Sequence, residues 1–181
     1  MKKKFIDRLI TRLGKYFLER NARANAKERE YIEFKYAQKI GIVYNALKPE
    51  EAKVVLEFAT KLEKLGKSVN TLGYLNKKVL GGDFIPNYRN DYFCNKDLDR
   101  MRLPKEMSVK RFISEPYDYL LNLYTQDDFA LIGISALSSA KFRIGNYWKE
   151  YVSCFDLMLK PKDSSVETLI AEITHYIKIN E

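Results

Sequence analysis

The amino-acid sequence predicts an α/β protein with one three-layer, mainly parallel sheet, preceded by a basic amphipathic helix. Two observations predict this class: short β-branched runs alternate with helical patterns from residue 38 onward, and positive charge is concentrated before that point. The chain has 181 residues, of which 46% are hydrophobic, enough for one domain with a real core plus an extension. We therefore divide it into a basic helical arm, residues 1–37, and an α/β domain, residues 38–181.

The arm begins with an amphipathic pattern. Residues 4–20 fit a helix because Phe5, Leu9, Leu13 and Phe17 recur at a spacing of four, with basic side chains on much of the other face. This apolar stripe has two interpretations. Either it packs onto the domain and leaves the charges in water, or it faces a partner.

The net charge of +8 is distributed unevenly along the chain. The first 25 residues carry +6 of it, from eight Lys and Arg against two acids, and the other 156 residues carry +2. Such an asymmetry indicates an anionic partner. The arm residues that we predict to contact this partner are Lys2, Lys3, Lys4, Arg8, Arg12, Lys15, Arg20 and Arg23.

The domain opens with a βαβ unit. "KIGIVYNA" (39–46) is a β-branched run typical of a buried strand, and "SVNTLGYL" (68–75) is a second one. Between them a helix begins at "KPEE" and continues to about residue 65, where Gly66 is well placed as its C′ cap. Two parallel strands joined in this way predict a right-handed crossover.

Residues 76–105 are the irregular part, with "DYFCN" as a short edge strand. Its cations and aromatic residues either extend the basic surface or belong to a solvated, partly packed insertion. The predicted contacts are Lys77, Lys78 and Arg89, with Lys96, Arg100 and Arg102 beside them and Phe84, Tyr88, Tyr92 and Phe93 interleaved.

The second half repeats the alternation of strands and helices, which predicts a Rossmann-like architecture with helices on both faces of the sheet. In order, we predict a helix at "EMSVKRFIS", a strand at "DYLLNLY", a helix over 127–140, strands at "KFRIG" and "CFDLMLK", and a closing helix at "SVETLIAEITHYIKI". "KIGIVYNA" and "DYLLNLY" are expected at the centre of the sheet. The residues expected to be buried include Val55, Leu62, Leu120, Leu137 and Ile173.

The junctions after the strands argue against a phosphate site. Open α/β sheets bind ligands at the carboxyl ends of their strands, where phosphate needs glycines and a free helix N-terminus. Glu50 and Glu51 occupy the first junction, whereas Thr125 or Asp127 can cap the helix at the second. The third has an ordinary Ser or Asp cap. We therefore expect no specific binding of nucleotides or sugar nucleotides, and we assign no catalytic residue.

No cofactor or metal is expected either. His175 is the only histidine, and Cys94 and Cys154 fit two buried thiols in a reducing compartment. The first residues lack the apolar run of a signal peptide, because Asp7, Arg8 and Arg12 interrupt it. These features predict a cytoplasmic protein.

Two resemblances to known families are found. "YDYLLNLY" followed by "ISALSSAKFRIG" resembles the N-terminal domain of heptosyltransferase-type glycosyltransferases over about 30 residues, which implies a sugar or nucleotide enzyme. The whole chain resembles a family of short uncharacterised bacterial α/β proteins, a domain of unknown function. That resemblance rests on the basic N-terminal helix, "KIGIVYNA", "FCNKDLD", "YDYLLNLY", "ISALSSAKFRIG" and "DLML". It implies a shared fold and no assigned activity.

Three functional hypotheses follow. The first is a non-catalytic binding protein whose basic helix contacts RNA or a ribonucleoprotein, because Lys and Arg give sequence-independent affinity for phosphates. The second places the same helix on an anionic membrane surface. The third is the glycosyltransferase-like enzyme.

Overall fold

The computed structural model describes residues 14–23, 30–82 and 84–179. Its centre is a six-stranded sheet in the order β3-β2-β1-β4-β5-β6, and every neighbouring pair is parallel. The strands are β1 Lys39–Asn45, β2 Ser68–Leu75, β3 Asn90–Cys94, β4 Tyr119–Leu123, β5 Phe142–Asn146 and β6 Leu157–Leu159. The helices are α1 over residues 14–23, α2 Pro49–Lys64, α3 Met107–Ser114, α4 Phe129–Leu137 and α5 Val166–Tyr176.

The strand order confirms the predicted Rossmann-like architecture. The strands β1 and β4 lie at the centre of the sheet, as expected, and β3 forms one edge. The order reverses between β1 and β4, so the crevice at their carboxyl ends is the switch point of the fold. Below, the carboxyl edge means the side of the sheet where the parallel strands end, and the amino edge means the side where they begin.

Helices cover both faces of the sheet. Alternate residues of β1 show the two layers: Ile40, Ile42 and Tyr44 face α2 and α5, whereas Val43 faces the layer of α1, α3 and α4. Of the predicted core residues, Val55, Leu62, Leu120 and Ile173 are at most 1% exposed. Leu137 is only partly buried, because it is the last residue of α4.

Helix α1 belongs to the core of the second layer. Leu18 and Ala22 are completely buried among residues of α3 and α4. A Cβ at Gly14 would lie 2.8 Å from the end of the Phe129 ring, so a larger residue there would have to displace this ring. Phe17, from the predicted stripe, is 39% exposed. The stripe residues Phe5, Leu9 and Leu13 lie outside the described residues.

Residues 30–38, which precede β1, lie at the amino edge and are held there by contacts to their backbone. The Glu30 amide donates to the Lys141 carbonyl, and the Tyr119 hydroxyl donates to the Ile32 carbonyl. The Lys67 ammonium donates to three carbonyls of this segment, those of Phe34, Lys35 and Ala37, at 3.0, 3.3 and 2.7 Å. Helix α1 therefore runs from the carboxyl edge towards the amino edge, antiparallel to the strands.

Candidate functional site

The helices at the three predicted junctions of the carboxyl edge begin with side-chain caps or acids. Asp128 caps α4 by accepting a hydrogen bond from the Ala130 amide at 2.9 Å, so the predicted cap at Thr125 or Asp127 is wrong by position. Ser165 caps α5 in the same way, and Glu50 and Glu51 lie in the first turn of α2. A phosphate at α2 or α4 would therefore meet negative charge.

Unpaired cations lie beside these junctions, in the loops that follow β2 and β3. Lys77, Lys78, Lys96 and Arg100 are exposed, and none has a carboxylate oxygen within 4 Å among the residues that the structure describes. The two loops are tied together, because the Asn95 amide donates to the Lys77 carbonyl at 2.9 Å. We call these four residues the basic loop surface.

The acids of the same loops form no ion pair with this surface. Asp97 accepts a hydrogen bond from the Cys94 amide at 2.8 Å. Asp99 accepts from the amides of Met101 and Leu103 at 2.8 and 2.9 Å. Since both carboxylates turn back to the backbone, the neighbouring lysines remain available to an external anion.

Arg102 has a structural role in the same loop. Its guanidinium donates to the Tyr74 hydroxyl at 3.1 Å, and this hydroxyl donates to the Asn95 side chain at 2.5 Å. The guanidinium also lies 3.9 Å from Asp128. Burial raises the pKa of Tyr74 to about 12, so the hydroxyl remains a donor at neutral pH. Arg102 thus links the loop after β3 to the start of α4.

The start of α1 lies at the same edge. The Lys15 ammonium is 3.2 Å from Glu150, which follows β5, and 5.3 Å from the centre of the Tyr151 ring. Arg20 and Arg23 are exposed and lie about 7 and 12 Å further along the helix, towards the amino edge. The predicted contacts Lys2, Lys3, Lys4, Arg8 and Arg12 lie outside the described residues.

Arg89 is not part of this group. It precedes β3, so the length of that strand, about 17 Å, separates it from the basic loop surface. Its guanidinium is 2.6 Å from Glu63 and stacks 4.9 Å from the centre of the Tyr88 ring. The structure therefore brings Lys77 and Lys78 to the edge where α1 begins and places Arg89 at the opposite edge.

Most of the aromatic residues of the 76–105 loop are packed. Phe93 is buried against Tyr74, and Phe84 packs on Tyr92 with ring centres 5.4 Å apart. Tyr88 alone of the four predicted stacking residues is largely exposed, at 82%. The loop is therefore partly a packed insertion.

Metal-ligand clusters, cysteines and long apolar helices can be assessed for the described residues. They contain no group of three or more His, Cys, Asp or Glu residues arranged to hold a metal ion. Cys94 and Cys154 are both buried and free. In the part of the chain that the structure describes, every helix is too short or too polar to cross a membrane.

The fold places the chain in the class of three-layer α/β proteins with one parallel sheet. A family model described as a family of unknown function (DUF6913) matches residues 11–179, and the chain belongs to that family. This confirms the predicted membership of a domain of unknown function. No curated protein and no solved structure matches the chain.

Proposed function

We propose that this protein is a non-catalytic binding protein for RNA or a ribonucleoprotein, and that it binds with its carboxyl edge. The observation that carries the proposal is the basic loop surface, where Lys77, Lys78, Lys96 and Arg100 have no acidic partner among the described residues. Unpaired Lys and Arg side chains gain more from a phosphate than paired ones, because no existing ion pair must be broken.

The basic arm adds charge at the same place. Lys15, the first described cation of the arm, lies at the carboxyl edge, 3.2 Å from Glu150. The arm and the loops can therefore contact one polyanion together. This arrangement favours a strand with many phosphates over a mononucleotide, since the helix starts nearby are closed by Asp128, Ser165 and the acids of α2.

A membrane surface is the alternative partner. In the described part of α1, Leu18 and Ala22 are buried in the core and cannot enter a bilayer, whereas Phe17 of the predicted stripe is 39% exposed. Lipid binding is therefore included as an outcome of the test.

The test measures binding of a labelled single-stranded RNA by fluorescence anisotropy at several salt concentrations. Replacing Lys77, Lys78 and Lys96 with Gln should lower affinity about tenfold or more, and the slope of log K against log salt should decrease by roughly 2, because each lost contact contributes about 0.7. The matched control replaces Lys61, Lys64 and Lys110 with Gln, because these lysines are also exposed and their replacement removes the same charge.

The control decides whether the site or the net charge binds the RNA. An equal loss in both variants would show non-specific attraction and contradict the proposal. Binding to vesicles rich in anionic lipid, without binding to RNA, would support the membrane alternative instead.

A truncation tests the arm separately. It should remove residues 1–13 only, because a deletion that reaches Leu18 takes away buried side chains. We expect weaker RNA binding with an unchanged melting temperature. Unchanged RNA binding would leave the loops as the whole interface.

A further inference from the structure

A polar cavity of about 210 Å³ lies at the amino edge, on the face covered by α3. It is formed where β2, β3 and α3 meet the chain that enters β4. Asp91, Ser108, Arg111 and Tyr117 line it, with Tyr88 at its rim. The whole cavity lies at the opposite edge from the basic loop surface and shares no residue with it.

Two opposite charges, Asp91 and Arg111, face this cavity close enough to attract each other, but neither has a hydrogen-bond or ion-pair partner among the described residues. The other charged groups of the cavity are paired: Glu115 lies 2.6 Å from Lys39, and Arg89 lies 2.6 Å from Glu63. Burial raises the pKa of Asp91, while Arg111 opposes this effect.

Tyr117 supplies a third polar group. The residue is 2% exposed, and its ring packs against Phe112 with centres 5.0 Å apart. A Cβ at Gly41 would lie 2.8 Å from this ring, so the glycine makes room for it. The hydroxyl has no hydrogen-bond partner among the described residues, although the residue lines the cavity. Burial raises the pKa of Tyr117, which keeps the hydroxyl protonated and able to donate.

We propose that this cavity binds a small zwitterion of the α-amino acid type, with its ammonium group on Asp91 and its carboxylate on Arg111 and Tyr117. The unpaired charges of the cavity sum to zero, so they match a ligand that carries one charge of each sign. A phosphate dianion would gain Arg111 but would also face Asp91. A volume of 210 Å³ equals that of roughly seven water molecules, which is enough for a small amino acid.

The test is calorimetric titration of the full chain with the free amino acids. Each is compared with the carboxylic acid that lacks the amine and with the amine that lacks the carboxylate. We expect at least one amino acid to bind saturably, and both analogues to bind about tenfold more weakly or worse, because each loses one charge-assisted hydrogen bond.

Variants then locate the binding. Asp91→Asn and Arg111→Gln should each lower affinity about tenfold or more, whereas Lys110→Gln, which removes an exposed charge beside Arg111 but outside the cavity, should leave it unchanged. Tyr117→Phe should weaken binding of the ligands that carry a carboxylate and leave binding of the amine analogue unchanged. Thermal unfolding of each variant establishes that it folds.

Three results would overturn the proposal. One is that no amino acid binds at concentrations up to about 10 mM, because a dissociation constant above this value is weaker than a specific site allows. Another is a loss of affinity in Lys110→Gln that equals the loss in Asp91→Asn and Arg111→Gln. The third is tighter binding of a nucleoside than of any amino acid, lost in Asp91→Asn, which would assign the cavity to a base. None of these results bears on the RNA proposal, since the two sites lie at opposite edges.

Discussion

The two edges of the sheet differ in how many of their charged side chains have partners within the protein. At the amino edge most charged side chains are used inside the protein, whereas at the carboxyl edge Lys77, Lys78, Lys96 and Arg100 have no acidic partner among the described residues. The net charge of +8 shows neither fact. The comparison teaches that the position of the acids, and what they already bind, decides where a basic protein can meet an anion.

The amino edge is held together by its ions. The Asp118 carboxylate accepts hydrogen bonds from the amides of Gln38 and Lys39 at 2.7 and 3.0 Å, and from the Lys141 ammonium at 2.9 Å. These contacts join the beginnings of β1, β4 and β5. At the carboxyl edge, ion pairs join Lys15 to Glu150, Lys48 to Glu51 and Arg102 to Asp128, but the four cations of the basic loop surface have no acidic partner among the described residues.

The largest expected effect is at Arg143, an arginine in β5 that is 1% exposed. Its Nε and Nη2 atoms donate to the two carboxylate oxygens of Asp156, both at 2.9 Å. Asp156→Ala leaves this cation buried and unpaired, which should lower the free energy of unfolding by about 3–5 kcal/mol. Denaturant unfolding measures the loss.

The control removes both charges at once. Arg143→Met combined with Asp156→Leu should recover much of the stability, because apolar groups of similar volume need no partner. If Asp156→Ala unfolds at the same denaturant concentration as the wild type, the ion pairs of the amino edge do not stabilise the fold and the comparison fails.

Asp118 should give an intermediate, pH-dependent effect. Burial raises the pKa of this carboxyl, but the amides of Lys39 and Gln38 and the Lys141 ammonium lower it more, so the net shift is downwards. A lowered pKa in the folded state contributes stability above the unfolded value, about 3.9, and loses it as the pH falls through the folded value.

Asp118→Asn should therefore destabilise the protein by about 1–3 kcal/mol at pH 7, because hydrogen bonds to a charged acceptor are lost. The difference between variant and wild type should shrink as the pH falls below about 4. Unfolding curves at several pH values test this. A difference that does not depend on pH would mean that the carboxylate charge is not what stabilises the edge.

The smallest expected effect on stability is at the carboxyl edge. Replacing Lys77, Lys78 and Lys96 with Gln should change the free energy of unfolding by less than about 0.5 kcal/mol, because exposed unpaired charges contribute little. The same charge removed from the amino edge, at Lys39, Lys67 and Lys141, should lower the free energy of unfolding by more, because hydrogen bonds are broken there. Equal losses would end the distinction between the two edges.

The fold was largely predictable, because its signals are local. The β-branched residues of "KIGIVYNA" and the apolar run of "DYLLNLY" predict the central strands correctly. Gly66 has a φ of +81°, as expected for a C′ glycine. The predicted helix 127–140 is longer than the observed Phe129–Leu137, because Ser138 has an extended ψ of 141° and ends it.

The arrangement of the site was less predictable, because pairing partners are distant in sequence. Nothing near Arg89 shows that Glu63, 26 residues earlier, already binds it. Arg143 resembles an exposed strand residue until Asp156 is placed beside it. In α1, the residues Gly14 and Ala22 face the core but carry little apolar signal, so the periodicity of larger side chains selected a different face of the helix.

The contact between Lys15 and Glu150 joins residues 135 positions apart, and this separation has a consequence for biosynthesis. At 5–20 residues per second, the ribosome needs roughly 7–27 s after making Lys15 to reach its partner. Helix α1 is thus among the earliest described segments to be translated. It is among the last to be protected from protease, because its contacts form late. Ribosome-bound chains that end before α4 should be cut by protease within residues 14–23, and finished chains should resist.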